Sequence, residues 1–206
     1  MNKTNQEAST PVGGEAMDRQ AVRRCVERAK GGDEDAFGEL VKMYYQRIYG
    51  LLYGIVGNAD DAKEIAQQAW VKAWSKLHTF KQDAEFFTWV YRIASNAGLD
   101  FLRHRARRRE QSFPEGGDGF GNAQPDLAAS ERVRPDREAE RAEIGRLFHE
   151  ALEELTPEHR MVLTLREVDG LPYDEIARVM GCRKGTVMSR LFYARQKIQE
   201  RLEGLR

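Results

Sequence analysis

Apolar residues in this chain recur at three- and four-residue spacing almost throughout, the signature of helices with one buried stripe. Asp35–Val56 places Ala36, Phe37, Leu40, Val41, Tyr44, Ile48, Leu51 and Leu52 on one wide face, and Gly57-Asn58 closes it. Asp60–Leu77 follows, with two acidic residues in its first turn and a stripe of Ile65, Ala66, Ala69, Trp70, Ala73, Trp74 and Leu77. After a loop at Thr79–Glu85, a third helix is predicted over Phe86–Arg105 through Phe87, Val90, Ile93, Ala94, Ala97 and Phe101. The pattern then lapses. Residues 111–138 are rich in proline and glycine and poor in large apolar side chains, so they bury too little to offset ordering. Periodicity resumes with Ile144, Leu147, Phe148, Ala151, Leu152 and Leu155 on one face. Thr156-Pro157 restarts a helix packed by Met161, Val162, Leu165 and Val168, and Gly170 ends it. No strand-like alternation appears. The expectation is an all-α fold of two small helical domains, 20–110 and 139–206, joined by a flexible linker over 111–138 and preceded by a disordered lead-in over 1–19.

The most specific local pattern is LREVDGLPYDEIARVMGCRKGTVMSRLFYARQKI at Leu165–Ile198. Ile176, Ala177, Val179 and Met180 make a short apolar stripe, and Gly181 supplies the left-handed residue that stops a helix. A second helix then begins near Lys184 and turns Val187, Leu191 and Ala194 inward. That leaves Arg183, Lys184, Ser189, Arg190, Phe192, Tyr193 and Lys197 facing outward. Two helices joined by so tight a turn suit a helix-turn-helix, in which the second helix enters the major groove of DNA.

Composition narrows the classes that remain. Apolar residues make 41% and charged residues 32% of 206, ordinary for a folded helical protein. No apolar run approaches the ~20 residues of a membrane span, so no membrane insertion and a cytoplasmic location are expected. The formal net charge is zero, yet the charge is uneven: Arg103, Arg105, Arg107, Arg108 and Arg109 cluster in one short stretch, while 111–138 is acid-rich. Local clusters govern phosphate attraction, because screening hides charges more than about 8–10 Å apart. Cys25 and Cys182 offer no disulfide framework. His78, His104, His149 and His159 show no metal-ligand spacing, and there is no phosphate-cradling glycine loop or nucleophile elbow. No cofactor, metal, small-molecule substrate or catalytic activity is expected.

Two blocks then stand together: DDAKEIAQQAWVKAWSKLHTFKQDAEFFTWVYRIASNAGLDFLRHRARR at Asp60–Arg108, and LTPEHRMVLTLREVDGLPYDEIARVMGCRKGTVMSRLFYARQKI at Leu155–Ile198. In this order the sequence resembles an extracytoplasmic-function (ECF) sigma factor of the sigma-70 family, near its envelope-stress branch. The resemblance implies a subunit that joins core RNA polymerase, reads the −10 and −35 elements of promoter DNA, and helps melt the duplex. It also implies the sites. Asp61, Glu64, Gln67, Gln68 and Lys72 would dock on a coiled coil of the polymerase's largest subunit, and the second domain on its flap. Lys81, Asp83, Phe86, Phe87, Trp89, Arg92, Asn96, Arg103, Arg105, Arg107 and Arg108 would serve the −10 element. Aromatic faces there would hold unstacked bases at about 1–3 kcal/mol each. Arg166, Arg183, Lys184, Thr186, Met188, Ser189, Arg190, Phe192, Tyr193 and Arg195 would serve the −35 element. The acidic linker would thread the polymerase near the template strand. An anti-sigma factor would hold the protein inactive.

The chain departs from the family pattern in places. Met188 and Tyr193 stand where relatives commonly place arginine, Gln68 where glutamate is frequent, Gln82 where glycine is usual, and Pro172 where serine is usual. Read without the resemblance, the helix-turn-helix also suits a conventional regulator that binds paired half-sites as a dimer. Against this stands Asp60–Arg108, whose aromatic loop and arginine tail a sensor domain has no reason to carry.

Overall fold

A computed structural model describes residues 19–81, 84–111, 147–148 and 150–203. The lead-in over 1–18, the linker segment 112–146, and Gln82, Asp83 and His149 lie outside the described residues. Every regular element described is helical.

Helix α1, Arg19–Lys30, buries Val22, Cys25, Val26 and Ala29, one residue per turn along one side. The chain then reverses through Gly32 at φ 94°. Asp33 caps α2, Glu34–Val56, by accepting from the Ala36 amide at 3.0 Å. At the other end Gly57 takes φ 73° and donates to the Tyr53 carbonyl at 2.8 Å, the left-handed stop anticipated from Gly57-Asn58. Asn58 caps α3, Ala59–Lys76, through the Asp61 amide at 3.0 Å, and a 3-10 turn over Leu77–Thr79 extends it. Helix α4, Phe86–Gln111, runs a further turn and a half past the predicted end, through the arginine cluster. Leucine and arginine are strong helix formers, and no glycine or proline interrupts the run until Pro114. Gly98 sets the closeness of α2 and α4: a Cβ there would lie 3.1 Å from Leu52 Cδ2 and 3.2 Å from Ile55 Cγ2. The core between these helices includes Leu40, Ile48, Leu51, Leu52, Ile55, Ile65, Val90 and Tyr91.

The second unit starts with helical residues 150–154, then α5, Pro157–Leu163, entered through Thr156 and Pro157 as predicted. The Thr156 hydroxyl, however, meets His159 Nδ1 at 2.8 Å instead of capping an amide. A π turn over Thr164–Val168 widens the end of α5, and Gly170 at φ 68° turns the chain. Helix α6, Tyr173–Met180, stops at Gly181 with φ 61°, and α7, Lys184–Glu203, lies across it. Met161, Val162, Leu165, Ile176, Val179, Val187, Leu191 and Ala194 form the core of this unit. Two residues placed in its core by periodicity sit outside it: Val168 is 73% exposed and Phe148 42%. The π turn advances the helix by an extra residue per turn and rotates Val168 off the buried face.

The two units are packed against each other, which the linker reading did not anticipate. Helix α2 meets α5 and the π turn, α4 meets α6, and one apolar cluster runs through both units.

Candidate nucleic-acid interface

Three surfaces remain for partners, and each follows from what the core leaves outside. On α3 the stripe Ala62, Ile65, Ala66, Ala69, Trp70 and Ala73 is buried, so Glu64, Gln67, Gln68 and Lys72 face out. Gln68 donates to Glu64 at 3.0 Å, which orders the middle of the face. Asp61 is held from the side by Arg105 at 3.2 Å, so a residue expected at the polymerase face and one expected on phosphate are paired. Val71, 70% exposed, stands among these polar residues and was not singled out from sequence. Its signal was present: an apolar residue on the polar face of an otherwise regular stripe.

The second surface is α4. Its aromatic start is mostly inward. Phe86 is 3% exposed, with ring centroids 5.8 Å from Phe80, 5.8 Å from Trp89 and 5.9 Å from Tyr44. Burial also pushes the Tyr44 phenol up to about 12. Phe86 therefore belongs to the core and presents no face for a base. Trp89 is half-buried against Phe80 at 5.2 Å, and Phe87 is half-buried edge-on to Tyr91. Outward from the same helix point Arg92, Asn96, Arg103 and Arg107, all exposed. Spaced by four, seven and four residues, they form one stripe about 22 Å long at 1.5 Å per residue. Asp100 shares the stripe and holds Arg103 at 2.9 Å. Lys81, in the preceding loop, and Arg108, on another side of the helix, are also exposed, and Asp83 lies outside the described residues.

The third surface is the helix-turn-helix. Gly181 lets α6 end sharply enough for α7 to cross it, and Val187, Leu191 and Ala194 fix α7 by their burial. Arg183, Lys184, Met188, Ser189, Phe192, Tyr193 and Arg195 are exposed, with Thr186 and Arg190 half-buried. Phe192 is 71% exposed, unusual for an aromatic on a helix that packs. Several expected readers have partners within the chain. Lys184 bonds Asp174 at 3.0 Å, Arg195 bonds Glu167 at 3.0 Å through Nε, and Ser189 donates to the Thr186 carbonyl at 3.1 Å. The Tyr193 ring lies 4.7 Å from His159, whose imidazole burial and Arg190 hold below its ordinary range. Arg166 pairs with neither Glu167 nor Glu175. It donates to the Leu171 carbonyl at 3.0 Å and lies 5.0 Å over the Tyr173 ring, where it builds the turn into α6.

No group of three or more His, Cys, Asp and Glu among the described residues could hold a metal. No helix among them is long and apolar enough to cross a membrane. What the surfaces offer is phosphate attraction, hydrogen bonding and apolar contact.

Comparison with known proteins agrees with this division. The model of sigma-70 region 2 matches residues 40–108, and that of sigma-70 region 4 matches 145–198. RNA polymerase sigma-H factor of Pseudomonas aeruginosa is 40% identical over 191 residues, covering 92% of this chain and 97% of that protein. The ECF RNA polymerase sigma-E factor of Escherichia coli K12 is 36% identical over 180 residues, 87% of this chain and 93% of its own. Among solved structures, CnrH in complex with the cytosolic domain of CnrY aligns over 89% of this chain and 98% of that one, at TM-score 0.62 and 23% identity. The sigma factor RpoE in complex with the anti-sigma factor NepR from Bartonella quintana aligns over 81% and 96%, at the same TM-score and identity. These two likenesses speak to the fold. The chain belongs to the sigma-70 family, in its ECF group: a transcription initiation factor that binds core RNA polymerase and promoter DNA.

Proposed function

We propose that the three surfaces divide the work of promoter recognition. The outward face of α3, Glu64, Gln67, Gln68 and Lys72 around Val71, docks on core polymerase. Val71 gives the middle of that face an exposed apolar side chain that a docked partner would cover, with polar residues at its rim. The α4 stripe tracks phosphates near the −10 element, with Asn96 as its polar reader and Phe87 and Trp89 as the half-buried aromatics nearest to it. The exposed face of α7 reads the −35 duplex, with Arg183 and Arg190 on phosphate and Met188 and Phe192 suited to thymine methyls. One observation carries this reading: a helix-turn-helix and a separate Arg-Asn stripe of about 22 Å share one chain. A regulator that binds DNA through its helix-turn-helix alone has no use for the second.

The protein acts in the cytoplasm, where polymerase and DNA are, and performs no catalysis of its own. Its activity is held in check by an anti-sigma factor, a reading supported by the complex of the Bartonella quintana sigma factor RpoE with the anti-sigma factor NepR. The apolar groove formed by Phe148, Leu152, Leu163, Val168, Ile198 and Leu202 on the second unit suits a partner helix such as the polymerase flap. Transcription reconstituted from core polymerase and this chain, with 5′ ends mapped across genomic templates, tests the reading. Starts clustered downstream of a shared two-part sequence are expected. No gain in specific starts over core polymerase alone contradicts it.

A further inference from the structure

Helix α7 turns two large apolar side chains to solvent on one flank. Met188 is 52% exposed and Phe192 71%. Four residues apart, they stand one above the other, about 6 Å apart along the helix axis. Val187, Leu191 and Ala194 are buried on the opposite side and hold down the backbone that carries them.

The polar groups around this pair are already engaged within the chain. Lys184, four residues before Met188, and Arg195, three after Phe192, share the flank by spacing. Lys184 Nζ donates to Asp174 Oδ2 at 3.0 Å, and Arg195 Nε to Glu167 Oε1 at 3.0 Å. Ser189 donates to the Thr186 carbonyl at 3.1 Å, Gln196 to Glu200 at 3.0 Å and Gln199 to Glu203 at 2.7 Å. Tyr193, 44% exposed, stands on the other flank with its ring 4.7 Å from His159. The flank therefore offers a duplex a two-residue apolar ridge.

In the major groove every base pair shows hydrogen-bonding groups, and the one apolar feature is the thymine C5 methyl. Guanine is selected by arginine or lysine paired to O6 and N7, which neither Met188 nor Phe192 can supply. Laid over guanine or over the cytosine amino group, the ridge would cover polar atoms without pairing them. The rise of about 6 Å between the two side chains spans roughly two base-pair steps of 3.4 Å. We infer that Met188 and Phe192 form a methyl reader, which makes the −35 element of this chain depend on two thymines one or two base pairs apart. This reader rests on the assignment of α7 to the −35 element, and it names the base selected there.

The test uses holoenzyme assembled from core polymerase and the full-length chain, with promoter duplexes randomised over the −35 element. Retained sequences should carry thymines, on either strand, at two positions no more than two base pairs apart. Replacing one of these thymines by deoxyuridine removes only the methyl. It should weaken binding by roughly fourfold, the transfer of one methyl out of water. Met188→Ala should abolish that penalty at one position and Phe192→Ala at the other, with thermal midpoints unchanged because both side chains are exposed. Met188→Arg should shift the preferred base beneath residue 188 from thymine to guanine by roughly tenfold. Deoxyuridine binding as well as thymine at every −35 position overturns the methyl reader and leaves α7 as the −35 helix. Penalties that persist in both alanine variants do the same. Retention of no −35 sequence overturns the methyl reader and the −35 assignment together.

Discussion

The two helical units use their aromatic residues in opposite ways. In the first, Tyr44, Phe80, Phe86 and Tyr91 face inward, and a stripe of arginines and Asn96 is left outside. In the second, Met188, Phe192 and Tyr193 stand outward on α7, while small aliphatic residues hold the helix down. Phe86 is 3% exposed and Phe192 is 71% exposed. Aromatic content alone therefore does not mark a base-reading surface. What marks it is the position of each side chain relative to the buried stripe of its helix, because the stripe decides which side chains the core consumes.

The sharpest way to break this contrast is to truncate one aromatic from each unit. Phe86→Ala should destabilise the fold by about 3–5 kcal/mol, read as a lower denaturant midpoint, because it empties a packed aromatic site. Phe192→Ala should change stability by less than about 0.5 kcal/mol. It should weaken binding to a −35 duplex by about 1 kcal/mol, measured by fluorescence anisotropy. Similar stability losses in both variants would remove the distinction.

On the α3 face proposed to dock on polymerase, Val71→Asp should weaken assembly with core polymerase by about 2 kcal/mol while leaving thermal stability unchanged. Unchanged assembly would show that the exposed valine is incidental. A smaller effect belongs to Arg166, assigned here to the turn into α6. Arg166→Ala should cost about 1 kcal/mol of stability and leave −35 base preference as it was. A change of preference at one base would return Arg166 to the reading surface. The smallest effect distinguishes position from specificity on α4. Arg92→Ala and Arg107→Ala should each lower the salt dependence of −10 strand binding by about one ion, uniformly across sequences.

Much of this was legible beforehand, and the reasons are specific. Gly57, Asn58, Pro157, Gly170 and Gly181 marked helix ends because each suits a particular backbone geometry there. The inward set Val187, Leu191 and Ala194 followed from period alone. Helix α1 went unread although Val22, Cys25, Val26 and Ala29 have helical spacing, since a short run beside a polar lead-in gives a weak signal. Val168 was misplaced because a π turn breaks the period that predicted it. The period put Phe87 on the apolar stripe, yet its neighbour Phe86 is the one buried while Phe87 is half-buried, because aromatic packing on Phe80, Tyr44 and Trp89 draws the helix start inward. Between the two units, Arg47 Nε donates to Asp169 Oδ1 across 122 positions, and no local pattern encodes so distant a pair.

The most direct test of the account assigns each surface to its own element. Hydroxyl-radical footprinting of the polymerase–promoter complex should show two protected patches about 25 base pairs apart, spanning ~85 Å of duplex. Phe192→Ala should fade the upstream patch alone, and Asn96→Ala the downstream patch alone. Loss of the same patch in both variants, or of neither, would contradict the division of the chain into two readers.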